Sequence, residues 1–168
     1  MEKIKFYSAN TIENAPFANK IPSELLRNLK IVAQMLPFRV NQYVAEDLVN
    51  WADVPNDPIF QLCFLQKEMV SAEDFSALEK IYQAENLTSS DKAAAIYELR
   101  MKLNPHPAGQ NTANVPTMDE ETVPGVQHKY RETALVFPKA GQTCHSYCTF
   151  CFRWPQFVGL NDLKFATD

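Results

Sequence analysis

Apolar residues recur along the first hundred positions at the spacing of helices. After Ser23 come Leu25, Leu26, Leu29, Val32, Ala33 and Leu36, the i, i+3, i+4, i+7 stripe of an amphipathic helix. Ser23 can cap that helix, and Pro37 ends it. Asn41 can cap a second helix with Tyr43, Val44, Leu48 and Trp51 as its apolar face. The stretch VPNDP, residues 54–58, predicts a turn, and Ile59 to Leu65 a short apolar helix. Ser71 with Asp74 three residues on matches a capping box. The helix it starts would bury Phe75, Leu78, Ile81 and Tyr82. A further helix runs from Thr88 or Ser89 through Leu103, carrying Ala94, Ile96 and Leu99, and Asn104-Pro105 stops it. Residues 1–22 have weak periodicity and predict an extended lead-in.

The pattern changes after Leu103. Residues 104–127 contain four prolines and little periodicity, which predicts a long loop or crossover. Residues 134–138, ALVFP, predict a short buried strand. A Gly-containing turn, KAGQT, then leads into three cysteines. The outline is a helical region over 1–103, a long connection over 104–133, and a strand with a cysteine loop over 134–168. No internal repeat or low-complexity tract interrupts it.

Composition narrows the class. With 46% hydrophobic and 21% charged residues, the 168-residue chain is ordinary for a globular protein of one or two small domains. The net charge of −4 and the lack of long like-charge runs give no support for a nucleic-acid partner. No apolar stretch is long enough for a bilayer, so no membrane partner is expected. The N-terminus lacks the apolar core of a signal peptide, so the cytoplasm is the expected compartment. Thiols stay reduced there, which makes metal ligation a better use of clustered cysteines than disulfides.

Three of the four cysteines form Cys144-His-Ser-Tyr-Cys148-Thr-Phe-Cys151, a C-x3-C-x2-C loop. A [4Fe–4S] cluster normally takes four cysteines. Three leave one iron with an open position, which can chelate the amino and carboxylate groups of S-adenosylmethionine (SAM). Phe150, just before the third cysteine, can pack against the adenine. The loop comes after a strand, where βα barrels carry their active sites. The alternative is zinc, with His145 or His128 completing a Cys3His site in a small helical interaction module. Cys63, inside the apolar run IFQLCFL, reads as a core thiol. His106 reads as a loop residue, and His128 as bonded to nearby backbone. Trp154 and Phe157 read as cavity lining or packing beneath the loop.

The segment Val123-Pro-Gly-Val-Gln-His128-Lys-Tyr130, a strand, and Cys144-x3-Cys148-x2-Cys151-Phe-Arg153 together resemble the lysine 2,3-aminomutase family of radical SAM enzymes. The upstream helices and DVPNDPI at 53–59 are similar too. The resemblance covers most of the chain. Only the cysteine loop is specific by itself, and the VPG…HKY segment makes the likeness one of family. It implies an α/β fold, in which helices precede the first strand and cysteine loop of a partial TIM-like barrel. It implies a [4Fe–4S] cluster on Cys144, Cys148 and Cys151, SAM with Phe150 at its adenine, and pyridoxal phosphate. The implied reaction is 1,2-amino migration on an amino acid, with Arg153 binding the substrate carboxylate. A bidentate guanidinium suits that role. An electron donor such as flavodoxin or ferredoxin, and a homo-oligomer, are the implied partners.

The sequence departs from the family at several points. A run of arginines is common after the third cysteine, but here the residues are Phe152-Arg153-Trp154-Pro155. Thr133 stands near the place of an arginine that helps bind pyridoxal phosphate, leaving Lys129 and Arg131 as substitutes. The stretch from His128 to Cys144 is slightly longer than usual. A TIM barrel typically needs about 250 residues. The chain ends at Asp168, 17 residues after Cys151. The expectation is therefore a fragment that does not turn over alone, with the lysine for pyridoxal phosphate lying beyond it.

Overall fold

Pairing between the N-terminus and a later segment organises the first part of the chain. In the computed structural model, which describes residues 4–102 and 113–138, strand β1 (Phe6–Ser8) pairs antiparallel with β2 (Arg39–Asn41). Between them lie two 3-10 turns, Ile12–Asn14 and Ala18–Lys20, and helix α1 (Ser23–Val32). The expected extended lead-in is in fact a source of core, since Ile12, Phe17 and Ile21 are buried. Strand pairing tucks these residues under α1, which period counting along 1–22 cannot reveal.

Helix α1 buries Asn28, Leu29, Ile31 and Val32, with Leu25 and Leu26 packed against the same core. Pro22 occupies the capping position, and Ser23 is already the first helical residue, so Ser23 is not the cap. Pro suits such a boundary because it has no N–H, and an N–H at a helix start finds no intrahelical partner. The helix ends at Val32, before Pro37, and residues 33–36 form a tightening turn.

Asn41 does accept the backbone N–H of Val44 through Oδ1 at 2.7 Å. The chain then makes a single π-helical turn, Val44–Leu48, closed by Val49 N–H to the Val44 carbonyl at 3.1 Å. Its wide turn rotates the apolar face. Ala45 and Val49 are buried, while the expected face residues Tyr43 and Leu48 are exposed. Trp51 starts a separate 3-10 turn, Trp51–Asp53. Its indole N–H donates to the Ala45 carbonyl at 2.7 Å.

Helix α2 (Pro58–Cys63) comes after the VPNDP turn, as expected, with Asp57 as its cap. Phe60 and Phe64 stack at 4.6 Å, and Trp51 lies edge-on to both. Phe17 stacks on Trp51 at 5.6 Å and meets Tyr7 edge-on. Offset and edge-on arrangements of this kind add to the area the rings bury. Cys63 is buried beside them, 5% exposed, the core thiol that its apolar run predicts.

Helix α3 (Ala72–Gln83) opens with the predicted box: Asp74 N–H donates to Ser71 Oγ at 3.0 Å, and Ser71 Oγ donates to Asp74 Oδ2 at 2.7 Å. It buries Leu78 and Ile81, while Tyr82 is exposed, contrary to expectation. Arg27 pairs with Glu79, joining α1 to α3 across the surface. Helix α4 (Ser89–Lys102) is capped by Thr88 and buries Leu99. Ala94 stays exposed, and Leu103 lies outside the described residues.

Residues 4–101 form one unit and 102–138 belong to a second. The stretch expected as a long connection holds two antiparallel hairpins: β3 (Thr117–Met118) with β4 (Glu121–Thr122), and β5 (Val126–Tyr130) with β6 (Thr133–Val136). In the first, Asp119 and Glu120 both have positive φ, 52° and 67°, as a two-residue mirror-image turn requires. Strand β6 overlaps the predicted ALVFP run at 134–136, but all four of its residues are exposed, and Phe137 just after it is the buried one. The expected barrel start continues into residues 139–168, which lie outside the described residues.

Candidate metal centre

The residues singled out for the cluster and its ligands are Cys144, Cys148, Cys151, Phe150 and Arg153. They lie outside the described residues, as do His106, His145, Trp154 and Phe157. The described chain reaches Pro138, six positions before Cys144, and so contains the approach to the loop.

That approach is the β5–β6 hairpin. Gln127 pairs with Leu135, and Tyr130 pairs with Thr133. Three steps on β5 thus oppose two on β6, which places a β-bulge at His128-Lys129. A bulge sharpens the twist and re-aims the side chains it carries. It falls on the HKY part of the segment that suggested a family.

The His128 imidazole is exposed, with Nε2 3.3 Å from the Arg131 carbonyl oxygen. Its backbone N–H donates to the Asn114 carbonyl at 2.7 Å. Both bonds are to backbone, as the sequence suggested. Arg131 is exposed in the two-residue turn between the strands, and Thr133 opens β6. The side chain of Lys129 lies outside the described set. Gly125 takes φ 71° at the hairpin entrance, a conformation that favours glycine, and its carbonyl accepts Phe137 N–H at 2.8 Å.

The donor set fits a cluster by its chemistry. Thiolates are soft ligands and suit iron–sulfur centres. In sequence the C-x3-C-x2-C loop offers three such donors within eight residues. Among the described residues, no group of three or more His, Cys, Asp or Glu could hold a metal. The helical unit also carries an open hollow lined by Ala9, Asn10, Lys30, Ala33, Gln34 and Tyr82. Its cation is already engaged, with Lys30 Nζ 2.6 Å from Glu13.

Two residues escaped the sequence reading. Asp57 is 4% exposed and accepts two backbone N–H groups. Its signal was present, because Asp followed by Pro marks a helix start. Arg100 donates to the carbonyls of Gln34 and Met35. No local signal marks it, because its acceptors lie far back along the chain.

No helix among the described residues is long and apolar enough to cross a membrane. No family model matches the chain, and no solved structure matches it. The chain is 31% identical over 147 residues, 87% of its length, to an Aquifex aeolicus (strain VF5) protein named "Putative L-lysine 2,3-aminomutase". A span of that length takes in both units. The chain covers 28% of that protein's length, so the likeness joins most of this sequence to the smaller part of a longer, aminomutase-named relative.

Proposed function

We propose that this chain serves a radical SAM enzyme of the lysine 2,3-aminomutase type and contributes its cluster-binding loop. The observation that carries the proposal is the C-x3-C-x2-C spacing of Cys144, Cys148 and Cys151. The 31% identity to an aminomutase-named protein supports it.

In this reading the three thiolates hold a [4Fe–4S] cluster and leave one iron open for SAM. A bound cluster would supply one electron, received from a donor protein, to cleave the sulfonium C–S bond of SAM into methionine and the 5′-deoxyadenosyl radical that abstracts hydrogen. Phe150 packs against the adenine. Arg153 orients an amino-acid substrate by its carboxylate, in the bidentate mode that a guanidinium favours. The bulged β5–β6 hairpin positions the strand that leads into the loop. Pyridoxal phosphate is the proposed second cofactor, with Lys129 and Arg131 as the basic residues that stand in for the family's arginine near Thr133. Flavodoxin or ferredoxin is the proposed electron donor.

Anaerobic reconstitution with iron and sulfide tests the reading. The expected product is brown, absorbs near about 400 nm and holds about four irons per chain. Cys148→Ala should abolish both signals. Stoichiometric zinc with no iron uptake would overturn the proposal and establish a Cys3His module instead.

A further inference from the structure

Helix α4 differs from the other long helices in what holds it. Its apolar residues lie on every side: Ala93, Ala94 and Tyr97 are exposed, while Ala95, Ile96 and Met101 are only half-buried beside Leu99. Leu99 is its one buried residue, whereas α1 buries four. A helix of this length is marginal in water unless packing supports it.

The support is concentrated at the two ends. At the start, Thr88 Oγ1 accepts Asp91 N–H at 3.2 Å, while Asp91 Oδ2 accepts Thr88 N–H at 3.1 Å and Thr88 O–H at 2.7 Å. In the last turn, Arg100 Nε donates to the Met35 carbonyl and Nη2 to the Gln34 carbonyl, both at 2.9 Å. These carbonyls lie in the turn after α1. The Gln34 side-chain amide donates in turn to Ile31 O at 3.0 Å and Leu78 O at 3.2 Å. Gln34 and Arg100 thus form a node where α1, α3 and α4 meet. The guanidinium is half-buried, and its pKa is lowered by that desolvation. It stays charged, which strengthens its bonds to the carbonyls.

We infer that α4 is a latch, with Arg100 as its catch, that opens as one cooperative unit while the rest of the helical unit stays folded. Local opening of this kind is expected where few apolar contacts hold an element. The described part of the helix reaches Lys102, the first residue of the second unit. The inference does not depend on the proposed function.

Hydrogen–deuterium exchange of the full chain, read by mass spectrometry, tests it. Peptides from α4 should exchange at least about tenfold faster than those from the cores of α1 and α3. Arg100→Met should speed α4 by a further ~tenfold and leave α1 and α3 within about twofold. Thr88→Ala, at the opposite end, should loosen the same peptides and no others. If α4 exchanges in step with α1 and α3, or if both variants speed all three helices equally, the latch is overturned.

Discussion

The carboxylate of Asp57 accepts the backbone N–H of Phe60 at 2.7 Å, with the residue 4% exposed. Its other oxygen accepts the N–H of Asn50 at 3.2 Å. One side chain therefore caps α2 and braces the loop before it. If it were removed, the N–H of buried Phe60 would lack a partner inside the core, and that of Asn50 would lose its own at the surface.

Asp57→Ala should accordingly lower the unfolding free energy by about 2–3 kcal/mol, the sum of a lost cap and a second orphaned donor. Asp57→Ser keeps a capping oxygen and should lose only ~1 kcal/mol. Urea titrations of the two variants measure the difference. Equal losses would mean that the cap to Phe60 contributes nothing.

Asp91 titrates below the ordinary carboxylate range, first because Thr88 O–H donates to it and then because Thr88 N–H does. A carboxylate whose pKa is lowered in the folded state stabilises that state above its unfolded value. The contribution is lost as pH falls through the lowered value. Carbon-detected NMR should show Asp91 titrating below the ordinary carboxylate value, and Thr88→Ala should raise its midpoint towards that value. An unchanged midpoint in Thr88→Ala would refute the assignment.

The β3–β4 turn uses Asp119 and Glu120 at positive φ, where Asn-Gly is the favoured pair. A left-handed Glu costs about 1 kcal/mol or more relative to Gly. The double change Asp119→Asn, Glu120→Gly should therefore strengthen the hairpin by ~1 kcal/mol. Stronger cross-strand NOEs between Thr117 and Thr122 are the readout.

His128 bonds to a backbone carbonyl from the strand surface. Under the proposed cluster, His128→Ala should leave iron uptake unchanged and cost less than about 0.5 kcal/mol of stability. Under a Cys3His zinc site built on His128, the same change should release the metal. Metal analysis of the purified variant decides between the two.

Features whose partners sit within a few residues of one another are legible in the sequence. Ser71 and Asp74 form the expected box, Thr88 caps the expected helix, and Asn41 accepts from Val44 as expected. The stripe of α1 is legible for the same reason. Features that depend on distant or irregular geometry are not. Ile12 and Phe17 are buried because Phe6 pairs with Asn41, and no local period encodes that pairing. A 3.6-residue period places Tyr43 and Leu48 in the core, but the chain makes a wider turn there and leaves both exposed. The hairpins at 117–136 lack glycine in their turns, which removes the usual sequence signal. At the candidate site, the cysteine spacing and the HKY segment are legible, and the bulge between Gln127 and Tyr130 is not.

The ring cluster around Trp51 gives the protein a built-in optical reporter. The chain has two tryptophans, and Trp51 sits among Phe17, Phe60 and Phe64 with its indole N–H committed to Ala45. In a Trp154→Phe background, all indole emission would come from that single ring. Its colour then records, in real time and without a label, whether water has entered the centre of the helical unit.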